Sequence, residues 1–379
     1  LDFGFSEEQE MLREAAKRFL ADNCPTTFVR KMMADETAHD AAFWRKLTEL
    51  GWQGLLIPES YGGQGGCFLD MTVIAEEAGK ALIPGPFFAS ALLGAPIVIE
   101  GGSEPLQKQL LPKIAAGESI VTVAIAEASG RFDAAGIELK AEKKGGSYEL
   151  SGEKFFVPDA HVATGIAVVA RTGKGANPDE GVTVFLIDPK AAGVTITQLK
   201  TVDMTRRLCH IKFDRVKVDA AAVLGKENGG WPIVRRTLDI ATAALSAEMV
   251  GTAQKALDIS VEYAKTRVQF GKPIGSFQAV KHKCVDMMVA VENARSLTYY
   301  ACWTVDERSA EAATAVPMAK AYASDMAKNV TSEAIQVHGG IGFTWEHDMH
   351  LYHRRALAGE ANFGNAPIHR EVVAKTLFV

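Results

Sequence analysis

No block of basic residues, no paired-cysteine spacing, no apolar run of membrane-spanning length and no G-x-G-x-x-G fingerprint occur in this sequence. Each absence removes a class of function. With 41 Lys and Arg against 46 Asp and Glu, a net charge of −5 and no basic stripe, a nucleic-acid groove is not expected, and any polyanionic ligand has to be met by local groups. The five cysteines, Cys24, Cys67, Cys209, Cys284 and Cys302, are odd in number and scattered, which argues against a disulfide framework and against a thiolate metal site. Leu1 to Phe5 lead into a charged helix rather than a secretory or transit pattern, so a cytoplasmic protein is expected, with no membrane association. Without the glycine fingerprint, a nucleotide cofactor is not held in the Rossmann manner.

What is present is apolar mass. At 379 residues and 47% hydrophobic content the chain exceeds what one core usually organises, so two or three domains are expected. Residues 1–118 read as helical. Ser6 with Gln9 forms a capping-box signature, and Met11, Leu12, Ala15 and Phe19 follow at helical spacing until Cys24-Pro25 ends the run. A second helical stretch, about Ala41 to Leu50, precedes a loop from Leu55 to Gly66 whose proline and glycines forbid regular structure.

From Ser119 the period becomes strand-like. Ile120 to Ala126, Tyr148 to Val157, Gly165 to Ala170 and Val182 to Ile187 are β-rich, with Gly145-Gly146 as a hairpin turn. Loops rather than helices join these runs, so residues 119–224 are predicted to form an antiparallel β-barrel or sandwich. Residues 225–379 return to helix. One helix starts near Pro232 and runs to about Thr266, a second follows Ser276 as N-cap, a third carries Val316, Ala323, Met326, Val330, Ala334 and Val337, and a last lies near Glu346 to Ala361. The prediction is a mainly α protein with a central β-domain and a C-terminal four-helix bundle.

Several motifs stand in register along the chain: Glu127 to Gly130, Asp133 to Ile137, Ser151 to Val157, Arg267 to Ile274, Phe277-Gln278 and Gln336 to Phe343. In order and spacing they resemble the acyl-CoA dehydrogenase family from end to end. The resemblance implies FAD as cofactor, an acyl-CoA thioester as substrate, an electron-transfer flavoprotein as electron acceptor, and no metal. It also implies an assembly, a dimer of dimers or a hetero-oligomer with a related chain, in which each FAD is completed by a neighbouring subunit.

By that resemblance the flavin ring would rest on the chain's own Val123, Ala126, Phe132, Phe156 and Pro158. Arg267, Phe270, Gln278, Gln336, Val337, His338, Gly339 and Gly340 would reach the neighbour's adenosine pyrophosphate. Guanidinium is a bidentate phosphate donor, and glycines let backbone amides approach an anion. Taken singly, Arg267 reads as a helix-end charge, Gly339-Gly340 as a helix stop and His338 as a packed histidine; it is their joint register that favours the cofactor role.

The reaction removes an α-proton as hydride leaves the β-carbon, so a carboxylate is required. The family carries it in an E-G-T segment, which the resemblance aligns with Phe363-Gly364-Asn365, and the alternative position on the first bundle helix aligns with Ala241. Both usual positions lack a carboxylate. Glu360, three residues before Phe363, is the candidate substitute base, while Asp239 and Phe363 are expected to face substrate. Two departures touch the ring half of the site: Phe132 replaces a usual serine, and Pro158 replaces a threonine and has no N–H. Two functions are therefore expected in turn. One is α,β-dehydrogenation of an acyl-CoA to the 2-enoyl-CoA by this chain. The alternative is a non-catalytic subunit that completes the FAD site of a base-bearing partner, which the resemblance implies by analogy with family members that shorten bulky or steroid side chains.

Overall fold

Ser6 Oγ accepts the Gln9 amide at 3.2 Å and Gln9 Oε1 accepts the Ser6 amide at 3.1 Å, so the first helix is closed at its start by the reciprocal cap its sequence encodes. The computed structural model describes residues 5–378. Its helices are α1 (Glu7–Asn23), α2 (Thr26–Ala34), α3 (Ala41–Glu49), α4 (Phe68–Ala81), α5 (Ala95–Gly101), α6 (Glu104–Ala115), α7 (Trp231–Thr266), α8 (Gln278–Asp306), α9 (Ala312–His338), α10 (Met349–Ala361) and α11 (Ala366–Leu377). The strands are β1 (Val121–Ala124), β2 (Lys140–Lys144), β3 (Ser147–Pro158), β4 (Gly165–Arg171), β5 (Val182–Ile187), β6 (Val194–Gln198), β7 (Leu208–Asp219) and β8 (Val223–Leu224), with a short hairpin β9 (Val268–Gln269) and β10 (Lys272–Pro273).

The chain divides into two compact units, neither continuous in sequence. The sheet unit takes Lys31–Cys67 and Pro84–Ala241. Its eight strands run in the order β6-β7-β3-β2-β4-β5-β8, with β1 paired to β4. The expected barrel or sandwich is corrected here to an open, mixed sheet. β1 pairs parallel to β4, Val121 opposite Gly165, with the β2–β3 hairpin between them in sequence. Short loops bias a chain toward antiparallel neighbours but do not dictate which distant strand closes on which. β3 and β7 shift register between Lys154 and Val157, a bulge that turns Phe156 to a positive φ of 57° and leaves it 42% exposed.

The bundle unit takes the chain up to Arg30, Phe68–Ile83 and the chain from Thr242 onward. α9 is its hub, packed against α8, α10 and α11. The four-helix expectation is replaced by a larger arrangement, because α11 also docks on α9, and α1 and α4 belong to the same unit. α8 begins at Gln278 with Phe277 at the cap, and Ser276 instead ends a 3-10 turn from Ile274. α4 and α7 cross with their backbones in contact: a Cβ on Gly79 would lie 2.0 Å from the Glu248 carbonyl, and one on Gly251 1.9 Å from the Glu76 carbonyl.

Beside that crossing, Arg355 of α10 donates to the Glu248 carboxylate at 2.9 Å and to the Ile83 carbonyl at 3.2 Å, with both side chains buried. Removing one partner of such a pair leaves a charge without compensation in the core. Arg355→Met is expected to lower stability by roughly 3–5 kcal/mol, and the double change Arg355→Met, Glu248→Met to recover most of it. Urea denaturation of the three proteins measures this.

Among the described residues no helix is long and apolar enough to cross a membrane, and no group of three or more His, Cys, Asp or Glu side chains is placed to hold a metal ion. All five cysteines are free thiols.

Candidate functional site

In the bundle unit, α7 stops at Thr266 and the chain turns through the β9–β10 hairpin. The Arg267 amide donates to the Tyr263 carbonyl at 2.8 Å and its carbonyl accepts from Ile274 at 2.8 Å, which fixes the backbone at both sides. The Arg267 side chain is exposed and has no hydrogen-bond partner among the described residues. At the hairpin tip Phe270 adopts φ 52° and is 91% exposed, and Gln278 is exposed at the start of α8. An aromatic ring held in a strained backbone and given wholly to solvent is costly unless something covers it.

α9 ends in the same neighbourhood. His338 stacks on Tyr263 with ring centroids 4.5 Å apart, which joins the end of α9 to the end of α7. Its Nδ1–H donates to the Ala334 carbonyl at 2.7 Å, Nε2 is buried with no partner, and burial holds the imidazole below its ordinary pKa. Val337 is buried, while Gln336, Gly339 and Gly340 are exposed. Gly339 has φ 63°, and a Cβ on either glycine would meet nothing within 4 Å. The turn faces open space, with room for a ligand to approach the backbone.

In the sheet unit the two segments assigned to a flavin ring are tied together. The Phe155 amide donates to the Ala126 carbonyl at 2.9 Å, and the Thr122 hydroxyl donates to the Pro158 carbonyl at 2.6 Å. Lys154, fully buried, donates to the Ile125 carbonyl at 2.7 Å and to Glu127 at 2.8 Å; Glu127 also accepts the Glu138 and Leu139 amides. Burial draws the Lys154 ammonium down to about 8 against the pull of Glu127. Val123 and Ala126 are buried, and Phe132 and Pro158 are half-buried. Pro158 has no N–H, so that position presents no donor.

The candidate base stands on α10. Glu360 is partly buried and ion-paired with Lys328 at 3.2 Å. Phe363 follows in the turn before α11 with φ 58°, half-buried. In the sheet unit Ala241 is fully buried, and Asp239 is half-buried with no hydrogen-bond partner among the described residues. Desolvation pushes the Asp239 carboxyl up to about 6, opposed by Arg236 and Arg235.

Three family descriptions match the chain in succession: "Acyl-CoA dehydrogenase, N-terminal domain" over residues 6–118, "middle domain" over 122–216 and "C-terminal domain" over 228–378. The chain belongs to the acyl-CoA dehydrogenase family. It is 34% identical over 392 aligned positions to the probable acyl-CoA dehydrogenase YngJ of Bacillus subtilis, covering 100% of both chains. Butyryl-CoA dehydrogenase from Megasphaera elsdenii superposes with a TM-score of 0.92 at 29% identity over 100% of both chains. A chain of the ChsE4-ChsE5 complex from Mycobacterium tuberculosis gives a TM-score of 0.90 at 29% identity, covering 100% of this chain and 99% of that one.

Acyl-CoA dehydrogenases are FAD-dependent, and the residues here fit that cofactor unequally. The bundle-unit set fits a pyrophosphate: a guanidinium without a hydrogen-bond partner among the described residues, an exposed ring and a glycine turn facing open space. The sheet-unit set offers apolar contact and a rigid frame but no donor at Pro158. Sequence reasoning missed Lys154, Arg355, Lys320 and His369. The signal for Lys320 was available, since it lies at helical spacing from Val316, Ala323 and Ala327 on a stripe that is otherwise apolar.

Proposed function

We propose that this chain serves the α,β-dehydrogenation of an acyl-CoA thioester as the subunit that completes an FAD site for a related, base-bearing chain. The contrast between its two residue sets carries the reading. Arg267, Phe270, Gln278, Gln336, Gly339 and Gly340 are exposed at one end of the bundle unit, at the ends of α7 and α9 and the start of α8, while the positions expected to hold a base carry Phe363 and Ala241. FAD, when bound, supplies the acceptor for hydride from the β-carbon. Arg267 would hold a phosphate, the amides of the glycine turn would face the anion, and Asp239 would accept a hydrogen bond from the thioester's CoA arm. An electron-transfer flavoprotein would take the electrons onward. The ChsE4-ChsE5 structure, a complex of two named components that includes a chain of this fold, makes a mixed assembly a natural form.

The competing reading, a chain that performs the whole reaction with Glu360 as base, is supported by the nearness of Glu360 to Phe363 in sequence. It requires the carboxylate to leave Lys328. Under the subunit reading, Glu360→Gln leaves turnover of the mixed assembly within about twofold, because no reacting proton passes through it. Loss of turnover with FAD still bound would make Glu360 the base. The visible spectrum separates the readings more broadly. The chain purified alone is expected to be colourless and inactive, and to yield an active yellow protein when co-expressed with a glutamate-bearing relative. A lone chain that is yellow and bleaches with acyl-CoA overturns the proposal.

A further inference from the structure

The turn that carries Phe363 is braced from beneath. Lys320 of α9 is wholly buried, and its ammonium donates to Ser324 Oγ at 3.0 Å, to the Glu360 carbonyl at 3.0 Å and to the Gly364 carbonyl at 2.9 Å. Each of its three N–H groups thereby has an acceptor. Two of those acceptors bracket Phe363 in sequence, one at the last turn of α10 and the other just past Phe363 itself. His369, in the first turn of α11, adds a bond from Nε2 to the Phe363 carbonyl at 3.0 Å.

The turn needs such a brace. Phe363 has φ 58° and Gly364 has φ 100°. A bulky residue in the left-handed region is strained and persists only where its surroundings over-determine it. Glu360 gives Lys320 its backbone carbonyl while its carboxylate bonds Lys328, so the Glu360 charge acts on Lys320 without a direct ion pair. Burying the ammonium is therefore repaid by two backbone carbonyls and the Ser324 hydroxyl, and burial brings it down to about 7. An ammonium kept under that penalty has its geometric consequence in one place, the pair of carbonyls around Phe363.

We propose that Lys320 is a positioning residue: by bonding the carbonyls on both sides of Phe363 it fixes where that ring projects, and so sets the size of acyl group the chain admits. The ligand in this statement rests on the acyl-CoA reading above; the positioning does not. The test uses the full-length chain with para-fluorophenylalanine at position 363, as wild type, Lys320→Met and Lys320→Arg, followed by fluorine NMR. Wild type is expected to give one narrow line, Lys320→Met to give several lines or exchange broadening, and Lys320→Arg to return toward one line. An unchanged line in Lys320→Met overturns the positioning role. Should Lys320→Met not fold, Lys320→Gln, which keeps a donor for one carbonyl, is read the same way, with partial broadening expected and an unchanged line again decisive against it.

Calorimetric titration with butyryl-CoA and a ring-bearing acyl-CoA tests the second half on the FAD-loaded assembly. Lys320→Met is expected to bring the ratio of the two affinities at least about tenfold closer to unity, on the scale that misplaced apolar contacts change discrimination. If wild type binds and the ratio does not move, the size-setting role is wrong. If wild type binds no acyl-CoA while its fluorine line is narrow, the ligand reading fails and the brace stands.

Discussion

Replacing Arg267 by alanine is expected to weaken FAD retention in the mixed assembly by roughly 10- to 100-fold while leaving this chain folded. A hydrogen bond between a guanidinium and a phosphate contributes about 1.5–3 kcal/mol, which converts to that range. The chain itself has little to lose, since the Arg267 side chain is exposed and without a partner among the described residues. Changes at such surface positions usually stay within about 0.5 kcal/mol of wild-type stability. Equilibrium dialysis of FAD against the co-expressed assembly, with a parallel thermal melt, measures both quantities. Undiminished FAD binding would mean that the guanidinium does not reach the cofactor, and the shared-site reading would fall with it.

A gain is expected from Phe363→Glu. In an assembly whose partner has had its own base changed to glutamine, flavin bleaching by acyl-CoA should rise by roughly 10²- to 10⁴-fold, the range a positioned general base supplies. The backbone at position 363 already sits at φ 58°, braced by Lys320 and His369, so the new carboxylate inherits a fixed turn. Phe363→Gln keeps the shape without the proton acceptor and should show no gain. Anaerobic single-turnover absorbance follows both variants. Bleaching by the glutamate variant that is no faster than by wild type would show that residue 363 does not face the reacting carbon.

Local features were legible in the sequence because they are encoded within a few residues. The Ser6 and Gln9 cap, the stop of α1 before Cys24-Pro25, the Gly145-Gly146 hairpin and the span of α7 depend on neighbours along the chain. The sheet's topology was not, since β1 finds β4 rather than β2, and nothing near Val121 announces Gly165 as its partner. β7 was overlooked although Cys209, Ile211 and Phe213 alternate inward as a strand should. In the candidate site, residue types were readable but their company was not. The stack of Tyr263 on His338, the Lys328 partner of Glu360 and the buried amine beneath Phe363 all arise from helices packed side by side. Ser276 reads as a cap on residue type alone, and the 3-10 turn it closes puts the helix start one residue further on.

The backbone contact of α4 with α7 carries a consequence for synthesis. Gly79 packs on the Glu248 carbonyl and Gly251 on the Glu76 carbonyl, yet every strand of the main sheet is encoded between the two glycines. A ribosome therefore translates that whole sheet before the second glycine exists. Until then the face of α4 that α7 covers lies open, and the bundle unit closes only after the strands of the sheet unit have been made.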